Sequence, residues 1–330
     1  MSAGTLLLRQ GEIASLLSME DCIVAVEEAF RLYGEGKATP PGVLGIHVEG
    51  GGFHIKAGVL TLQQNYFAAK VNANFPENRK RFGLPTIQGA IVLCDAVNGR
   101  LLALMDSMEI TARRTGAATA VAAKYLARGD SRAVTICGCG NQGRYQLRAL
   151  AQVLPLKKAY VYDVRPEQAR QFAAEVSSEL GIEVAAVTGL GPAVRQSDVC
   201  VTCTTSCQPL LTADYVSPGT FIAAVGADNA EKQELHPALM ARSKVVADLV
   251  EQCATIGDLH HAIAAGAMTK ADVHAELGEV AASRKAGRTS DQEIVIFDST
   301  GMALQDVAAA AVAYEKAVAN GHGTRLDLAA

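Results

Sequence analysis

At 330 residues the chain is long enough for two domains, or for one domain carrying a large insertion. Hydrophobic residues make up 49% and aromatic ones 5%, with no Trp, so a sizeable core must rest on Val, Leu, Ile and Ala. The formal net charge of −4, with no Lys/Arg run interleaved with aromatics, argues against a nucleic-acid partner, which needs a clustered cationic surface.

The opening stretch "MSAGTLLLRQGEIASLLS" has no basic start and no small-residue cleavage site, so it does not read as a signal peptide. No apolar run approaches the roughly 20 residues that span a bilayer, so no membrane partner is expected. Ser18 and Asp21 are spaced as a capping box. The helix behind them has the apolar face Ile23, Val26, Phe30 and Tyr33, and Gly34 is positioned as its C-cap. A β-rich stretch follows: "GIHVEG", "FHIKAGVL", "YFAAKVNANF" and "GAIVLCDAVNG", separated by Gly, Pro and Asn turns. "ITARRTGAATAVAAKYLA" then reads as an Ala-rich helix long enough to bridge two domains.

From Ser131 the rhythm changes. Short apolar runs ("AVTIC", "AYVYD", "VAAVTG", "DVCVTC", "FIAAVG", "KVVADL", "IVIFDS") alternate with helical segments, notably 166–179 behind Pro166. Continuous Val/Ile/Ala runs suit strands buried on both faces, and their alternation with helices predicts a doubly wound parallel sheet. The last helix, about 302–319, spaces Leu304, Val307, Ala311, Tyr314 and Val318 along one face and is expected to return to the first domain. The expected fold is therefore α/β, a Rossmann-type sheet inserted in an α+β domain. The division predicted is 1–112 plus 302–330 for the outer domain, and 113–301 for the sheet domain inserted in it.

Gly138, Gly140 and Gly143 form GxGxxG between an apolar run and a helix. The first glycine permits a tight turn, the second lets backbone approach a pyrophosphate, and the third lets helix and strand pack closely. The helix start adds amide donors and a positive dipole end. "AYVYD" ends in Asp163, 20 residues after Gly143, where an acid would take the ribose hydroxyls. That acid favours NAD and repels a 2′-phosphate, while Arg165, two residues on, leaves room for NADP. Asn141 and Gln142 lie in the same turn, and Gln142 and Arg144 are either pyrophosphate contacts or solvent-facing.

Four other residues invite chemistry. Lys70 is placed at the end of an apolar strand, where a cation is expensive without a partner. It reads either as an acid–base lysine of lowered pKa or as a strand-edge residue with its head in solvent. Arg113 and Arg114 at the start of a helix oppose its dipole, so one of them calls for an anionic partner such as a substrate carboxylate. Asp228, just past a strand's carboxyl end, stands either in the ligand crevice of an α/β sheet or as a turn cap. Cys200, Cys203 and Cys207 have a metal-like spacing but no second ligand pair, so no metal is expected. The eight cysteines, mostly inside apolar runs, suggest reduced thiols and a cytoplasmic protein.

Taken in order, "AKVNANFPEN", "GLPTIQG", "DSMEITARRTGAATAVAAKYLAR", "CGCGNQG", "VYDVR", "VGADNAEKQEL", "DLVEQC" and "IFDSTGMALQD" resemble the ornithine cyclodeaminase/μ-crystallin family. The likeness is greatest to its archaeal-type alanine dehydrogenase branch. It implies a homodimer and an enzyme that moves a hydride between NAD and the α-carbon of a small amino acid or imine. Oxidative deamination to a 2-oxo acid and ammonia leads. Ornithine or lysine cyclodeamination, cyclic imine reduction and a non-catalytic crystallin-like binder are the alternatives. A cyclodeaminase would need an acid or a water site for the distal ammonium, for which Glu77 and Asp106 are candidates.

The same resemblance implies that Lys70 assists proton transfer, that Arg114 binds the substrate carboxylate and that Asp228 activates water or the leaving amine. It brings Thr204 and Ser206 of "CTTS", Val225 and Gly226 of "VGAD", and Ser299 and Thr300 of "DST" close to the cofactor. One departure is notable. Where many relatives carry a cation after the proline pair, this chain has Gly42, whereas His54 and Lys56 stand nearby. His54 and Lys56 are therefore counted with the substrate-binding residues. Lys56 either shares the carboxylate clamp or selects a different anionic or larger substrate.

Overall fold

The computed structural model describes residues 4–328. By internal contacts the chain divides into two units. One comprises the residues up to Arg114 and those from Met302 onward, and the other runs from Thr115 to Gly301.

The first unit begins with β1 (Thr5–Leu8), α1 (Gln10–Leu16) and α2 (Met19–Gly34). Ser18 starts α2 through the expected box: its Oγ accepts the Asp21 N–H at 3.1 Å, and the Asp21 carboxylate accepts the Ser18 N–H at 3.0 Å. The stop differs from expectation. Gly34 is the last helical residue, Glu35 is the cap, and Gly36, at φ +75°, makes the left-handed turn that only a residue without Cβ adopts freely. There follow β2 (Gly42–Val48), β3 (Gly51–Thr61), β4 (Asn65–Asn74), α3 (Asn78–Phe82), β5 (Ile87–Asp95), β6 (Leu101–Asp106) and α4 (Ser107–Leu126), whose residues from Thr115 onward belong to the second unit. The short apolar strands β1 and β6 are additions to the expected set. The Ala-rich helix α4 starts three residues before Ile110, because the Asp106 carboxylate accepts the N–H groups of Met108 (2.9 Å) and Glu109 (3.2 Å).

The second unit alternates strand and helix. Its elements are β7 (Ala133–Cys137), α5 (Asn141–Val153), β8 (Lys158–Tyr162), α6 (Pro166–Leu180), β9 (Glu183–Ala186), α7 (Leu190–Arg195), β10 (Val199–Thr202), β11 (Cys207–Leu211), β12 (Phe221–Ala224), β13 (Gln233–Leu235), α8 (Pro237–Ala241), β14 (Lys244–Ala247), α9 (Val250–Ile256), α10 (Asp258–Ala264), β15 (Ala275–Glu276), α11 (Leu277–Ala281) and β16 (Val295–Asp298). Eight strands make one parallel sheet in the order β15-β14-β16-β12-β10-β7-β8-β9. The order reverses between β7 and β10, which is the switch point where such sheets bind ligands. Register keeps the carboxyl ends level: Tyr162 pairs with Cys137, Cys137 with Thr202, Thr202 with Ala224, and Ala224 with Asp298.

The chain then returns to the first unit as α12 (Ala303–Asn320) and β17 (Thr324–Leu326). That unit's seven-stranded sheet runs β17-β1-β6-β5-β4-β3-β2. Helix α12 packs on α2, β3 and β4. Its approach to the sheet is close: a Cβ at Gly58 would stand 2.7 Å from Leu304 Cδ2. Alternation along β3 and β4 turns Lys56, Leu60, Tyr66, Ala68 and Lys70 to the buried side.

Candidate active site

In the first unit, Lys70 lies in the middle of β4 rather than at its end, because the strand continues to Asn74. It is 3% exposed and pairs across the sheet with Lys56, itself 9% exposed. Like charges directly opposite one another repel, so the arrangement needs compensation. Asp306 on α12 supplies it. Lys70 Nζ lies 2.7 Å from Asp306 Oδ2 and 2.9 Å from Oδ1. Arg114 Nε donates to the same Oδ1 at 2.9 Å, and its Nη1 donates to Gln305 Oε1 at 2.9 Å.

Burial pushes Lys70 down to about 7, the Arg114 charge pushes the same way, and Asp306 partly restores the proton. Burial alone would raise Asp306, but Arg114 and Lys70 outweigh it and hold the carboxyl below the usual range. Two lysines and an arginine thus surround one carboxylate. The set retains positive charge for an anion and holds an amine that changes protonation near neutrality.

Both arginines sit beyond the first turn of α4, since the helix starts earlier than expected, so the dipole does not single them out. Both have internal partners. Arg113 donates to Glu109 at 2.6 Å and to the carbonyls of Leu17 and Ala14. His54 stands on β3 opposite Asn72 and is partly buried. Of the two acids considered for a distal ammonium, Asp106 is the α4 cap and Glu77 is exposed at the start of α3. Gln305 and Asp306 were missed by sequence reasoning. The available signal was a polar pair inside "ALQDVAAAAV", a stretch that is otherwise wholly apolar.

In the second unit, Gly138 follows β7 at φ +104°, and a Cβ there would meet the Cys203 carbonyl at 2.8 Å. A Cβ at Gly143 would stand 2.3 Å from the Gly138 oxygen, so the third glycine is needed for packing. At Gly140 a Cβ would meet nothing within 4 Å. Gly140 is the N-cap of α5 and offers no side-chain acceptor to the helix amides. Open space above uncapped amides at a helix start fits a dinucleotide pyrophosphate.

Asp163, at the end of β8, accepts the N–H of Cys139 at 3.0 Å and that of Arg165 at 2.9 Å, which ties the acid to the glycine turn. The Arg165 side chain is exposed. Asn141 is exposed and Gln142 partly buried at the start of α5. Arg144 binds Glu175 and the carbonyls of Cys139 and Gly140, so its guanidinium braces the turn.

The remaining cofactor candidates follow β10, β12 and β16, at the same level of the sheet. Val225 is buried and donates its N–H to the Thr202 carbonyl at 2.9 Å. Buried acids lace these loops together, and sequence reasoning did not pick them out. Glu234 accepts the N–H and Oγ1–H of Thr204 (2.6 and 2.7 Å) and the N–H of Gly226 (2.9 Å). Ser206 donates its N–H to Thr204 Oγ1 at 3.1 Å. Asp248 accepts the hydroxyls of Ser299 (3.2 Å) and Thr300 (3.1 Å) and the N–H of Gly301 (2.6 Å). Asp298 accepts the Leu259 N–H at 2.9 Å, and Asp258 accepts those of Glu234 and Leu235. Burial raises Glu234, Asp258 and Asp298 above the usual carboxylate range, and repulsion adds to the rise, from Asp298 and Glu234 at Asp258 and from Asp248 and Glu234 at Asp298. Asp228 is exposed and pairs with Lys232 at 2.6 Å. Among the described residues no group of three or more His, Cys, Asp or Glu side chains is arranged to hold a metal.

A parallel doubly wound unit with a glycine turn at its switch point, in one chain with a unit that buries a lysine–arginine–aspartate cluster, defines a dinucleotide-binding α/β protein. The chain belongs to the ornithine cyclodeaminase/mu-crystallin family, whose profile matches residues 4–321. It is 41% identical to an alanine dehydrogenase of Archaeoglobus fulgidus over 324 residues, 98% of either chain. Among solved structures it resembles an archaeal alanine dehydrogenase dimer with bound NAD, at 41% identity and a TM-score of 0.94, covering 98% of this chain and 99% of that one. It also resembles the Thermococcus litoralis Delta(1)-pyrroline-2-carboxylate reductase in complex with NADH and L-proline. That match has 38% identity and a TM-score of 0.93 over 98% of this chain and all of the other.

Proposed function

We propose that this protein is an NAD-dependent oxidoreductase of the C–N bond of a small α-amino acid or its imine. Alanine-dehydrogenase-like deamination to a 2-oxo acid and ammonia, or the reverse, is the leading reaction. The observation that carries this reading is a buried lysine and a buried arginine bonded to one buried aspartate, in a chain whose other unit bears the glycine turn and Asp163. The first unit is assigned to substrate and dimerisation and the second to NAD. Close relatives with NAD or NADH bound support that assignment.

When bound, the nicotinamide supplies hydride acceptance or donation at the substrate α-carbon. Arg114 holds the substrate carboxylate, with Lys56 and His54 beside it. Neutral Lys70 takes the proton that the amine loses as the imine forms, and its ammonium returns it in the reverse direction. Asp228 orients water on the imine carbon and takes its proton. Gly138, Gly140, Asn141, Gln142 and Gly143 hold the pyrophosphate, and Asp163 binds the ribose hydroxyls in preference to a 2′-phosphate, with Arg165 at the edge. Thr204, Ser206, Val225, Gly226, Ser299 and Thr300 line the nicotinamide end.

Reduction of a cyclic imine is the second reading, favoured by the relative with L-proline bound. Cyclodeamination ranks lower, because Asp106 is engaged as a helix cap and Glu77 is exposed. A homodimer is the proposed assembly. The sheet face opposite α12 is apolar from β2 to β6, with Leu44 beside Ile55, Ile55 beside Val71, Val71 beside Ala90, and Val92 beside Leu104. Leu44 and Val71 are 53% and 39% exposed, and such a contiguous patch calls for a self-complementary partner. The relative solved as a dimer agrees with it. Among the described residues no helix is long and apolar enough to cross a membrane. The eight free thiols fit a reducing, cytoplasmic setting.

The test is NADH formation with alanine, ornithine, lysine and proline, with ammonia release in parallel and NADH consumption with cyclic imines. Turnover with an amino acid or imine supports the reading. Nucleotide binding with silence on the whole panel would favour a non-catalytic binder.

A further inference from the structure

The first turn of α12 presents two polar side chains, Gln305 and Asp306, that are 0% and 1% exposed. The orientation of Gln305 follows from its neighbour. A guanidinium has only donors, so the 2.9 Å contact with Arg114 Nη1 must be made by the amide oxygen. The amide nitrogen then faces away, carrying two N–H donors, and it has no acceptor among the described residues. A buried donor without an acceptor is costly, and natural interiors satisfy most of them with protein groups, an ordered water or a ligand. Arg114 carries the other half of the pattern, since its Nε is fixed by Asp306 and its Nη1 by Gln305.

We propose that Gln305 is a further substrate-binding residue, donating from Nε2 to an oxygen of the carboxylate held by Arg114, and that Asp306 is the positioning residue that sets Lys70 and Arg114 side by side. The proposal rests on the reading of Lys70 and Arg114 as substrate groups. It adds a third wall to that site, drawn from the far end of the chain. The chemistry recognised is a carboxylate next to an amine or imine: one planar anion gripped by a guanidinium and an amide, with an amine base at the adjoining carbon. Asp306 is bonded to the base and to the clamp at once, so it fixes the spacing of the two and the proton affinity of Lys70.

Two variants test this. Gln305→Leu keeps the side chain's bulk and removes the amide. The KM of the best substrate in the panel is expected to rise at least tenfold, with NAD affinity and the pH dependence of kcat unchanged. An unchanged KM would overturn the assignment of Gln305. Asp306→Asn removes the charge, and Lys70 is then expected to lose its proton at lower pH, its proton affinity falling at least tenfold. The readout is NMR of 13Cε-lysine-labelled protein, with Lys70 assigned through Lys70→Arg, and it needs no turnover. Asp306→Glu should restore most of the proton affinity, which a merely structural change would not do. A Lys70 titration in Asp306→Asn that matches the wild type would overturn the positioning role. If Asp306→Asn does not fold, Asp306→Glu tests the spacing instead: the longer side chain is expected to lower kcat while folding and the Lys70 titration stay near the wild type, and an unchanged kcat would contradict the role. Wild-type protein silent on every substrate would count against the enzymatic reading, whereas an active wild type with an unaffected Gln305→Leu would count against this inference alone.

Discussion

Lys70 Nζ lies 2.7 Å from Asp306 Oδ2, across 236 residues of sequence, with both side chains buried. The pair fixes where the proposed base stands and when it is charged. Burial and Arg114 depress the amine to about 7, so it is protonated below that pH and neutral above it. Amino-acid oxidation needs the neutral form, and its kcat should climb as pH rises through about 7. Imine reduction needs the ammonium and should decline over the same range. Lys70→Met should cost roughly 10²–10⁴-fold in kcat with NAD binding intact, as is usual for loss of a general acid–base group. Steady-state pH profiles in both directions check the signs.

Lys56 faces Lys70 directly across the strands, and its charge helps to depress the Lys70 amine. In Lys56→Ala, substrate KM should rise by about tenfold, or ~1.4 kcal/mol, while NAD affinity stays the same. The same variant should move the Lys70-dependent limb to higher pH, because a repelling charge is gone. Unchanged kinetics and an unmoved limb would remove Lys56 from the site.

Two glycines of the turn should separate binding from folding. Gly140→Ala adds a methyl where nothing lies within 4 Å, so thermal stability should hold while NAD binding weakens by roughly tenfold or more. Gly143→Ala drives a Cβ to 2.3 Å from the Gly138 oxygen, and should cost stability by roughly 1–3 kcal/mol. Calorimetric NAD titration and thermal melts of the two variants check the contrast.

The buried acids of the second unit predict a pH dependence of stability. Glu234, Asp258 and Asp298 keep their protons to higher pH folded than unfolded. Between the ordinary carboxylate range near ~4 and neutrality, the folded state therefore binds more protons than the unfolded one. Stability present at low pH is lost as pH rises through that window, by up to about 1.4 kcal/mol per pH unit for each proton of difference. Asp298→Asn should flatten the slope. Denaturant melts of the cofactor-free protein across this range measure it, and a slope of the opposite sign would contradict the burial argument.

Much of this was legible from local pattern, and the rest was not for identifiable reasons. "AVTIC" became β7 over the residues read, and Ser18 capped α2 as spaced, because buried parallel strands and capping boxes are set by near neighbours. The parallel sheet carrying the glycine turn was likewise readable, since glycine spacing and strand–helix alternation are both local. Gly34 was misread as a cap because Gly36 stood two residues on and took the turn instead. Lys70 was placed at a strand end because the apolar run stops there, whereas strand pairing with β5 carries β4 on to Asn74. Asp306 escaped notice because its meaning lies 236 residues away in Lys70. Glu234 escaped for the same kind of reason: its partners, Thr204 and Gly226, come from two other loops. Tertiary contacts of this type carry no periodicity.

The most direct test of the central claim is isotopic. Protein with bound NAD is mixed with α-deuterated alanine, proline or ornithine in turn, and the nicotinamide is examined by mass spectrometry during turnover. The account predicts deuterium on the nicotinamide from at least one of these substrates, with ammonia and a 2-oxo acid, or a cyclic imine, as the product. A fully loaded enzyme whose nicotinamide never acquires deuterium, and whose deuterated NADH never labels an imine, would contradict it.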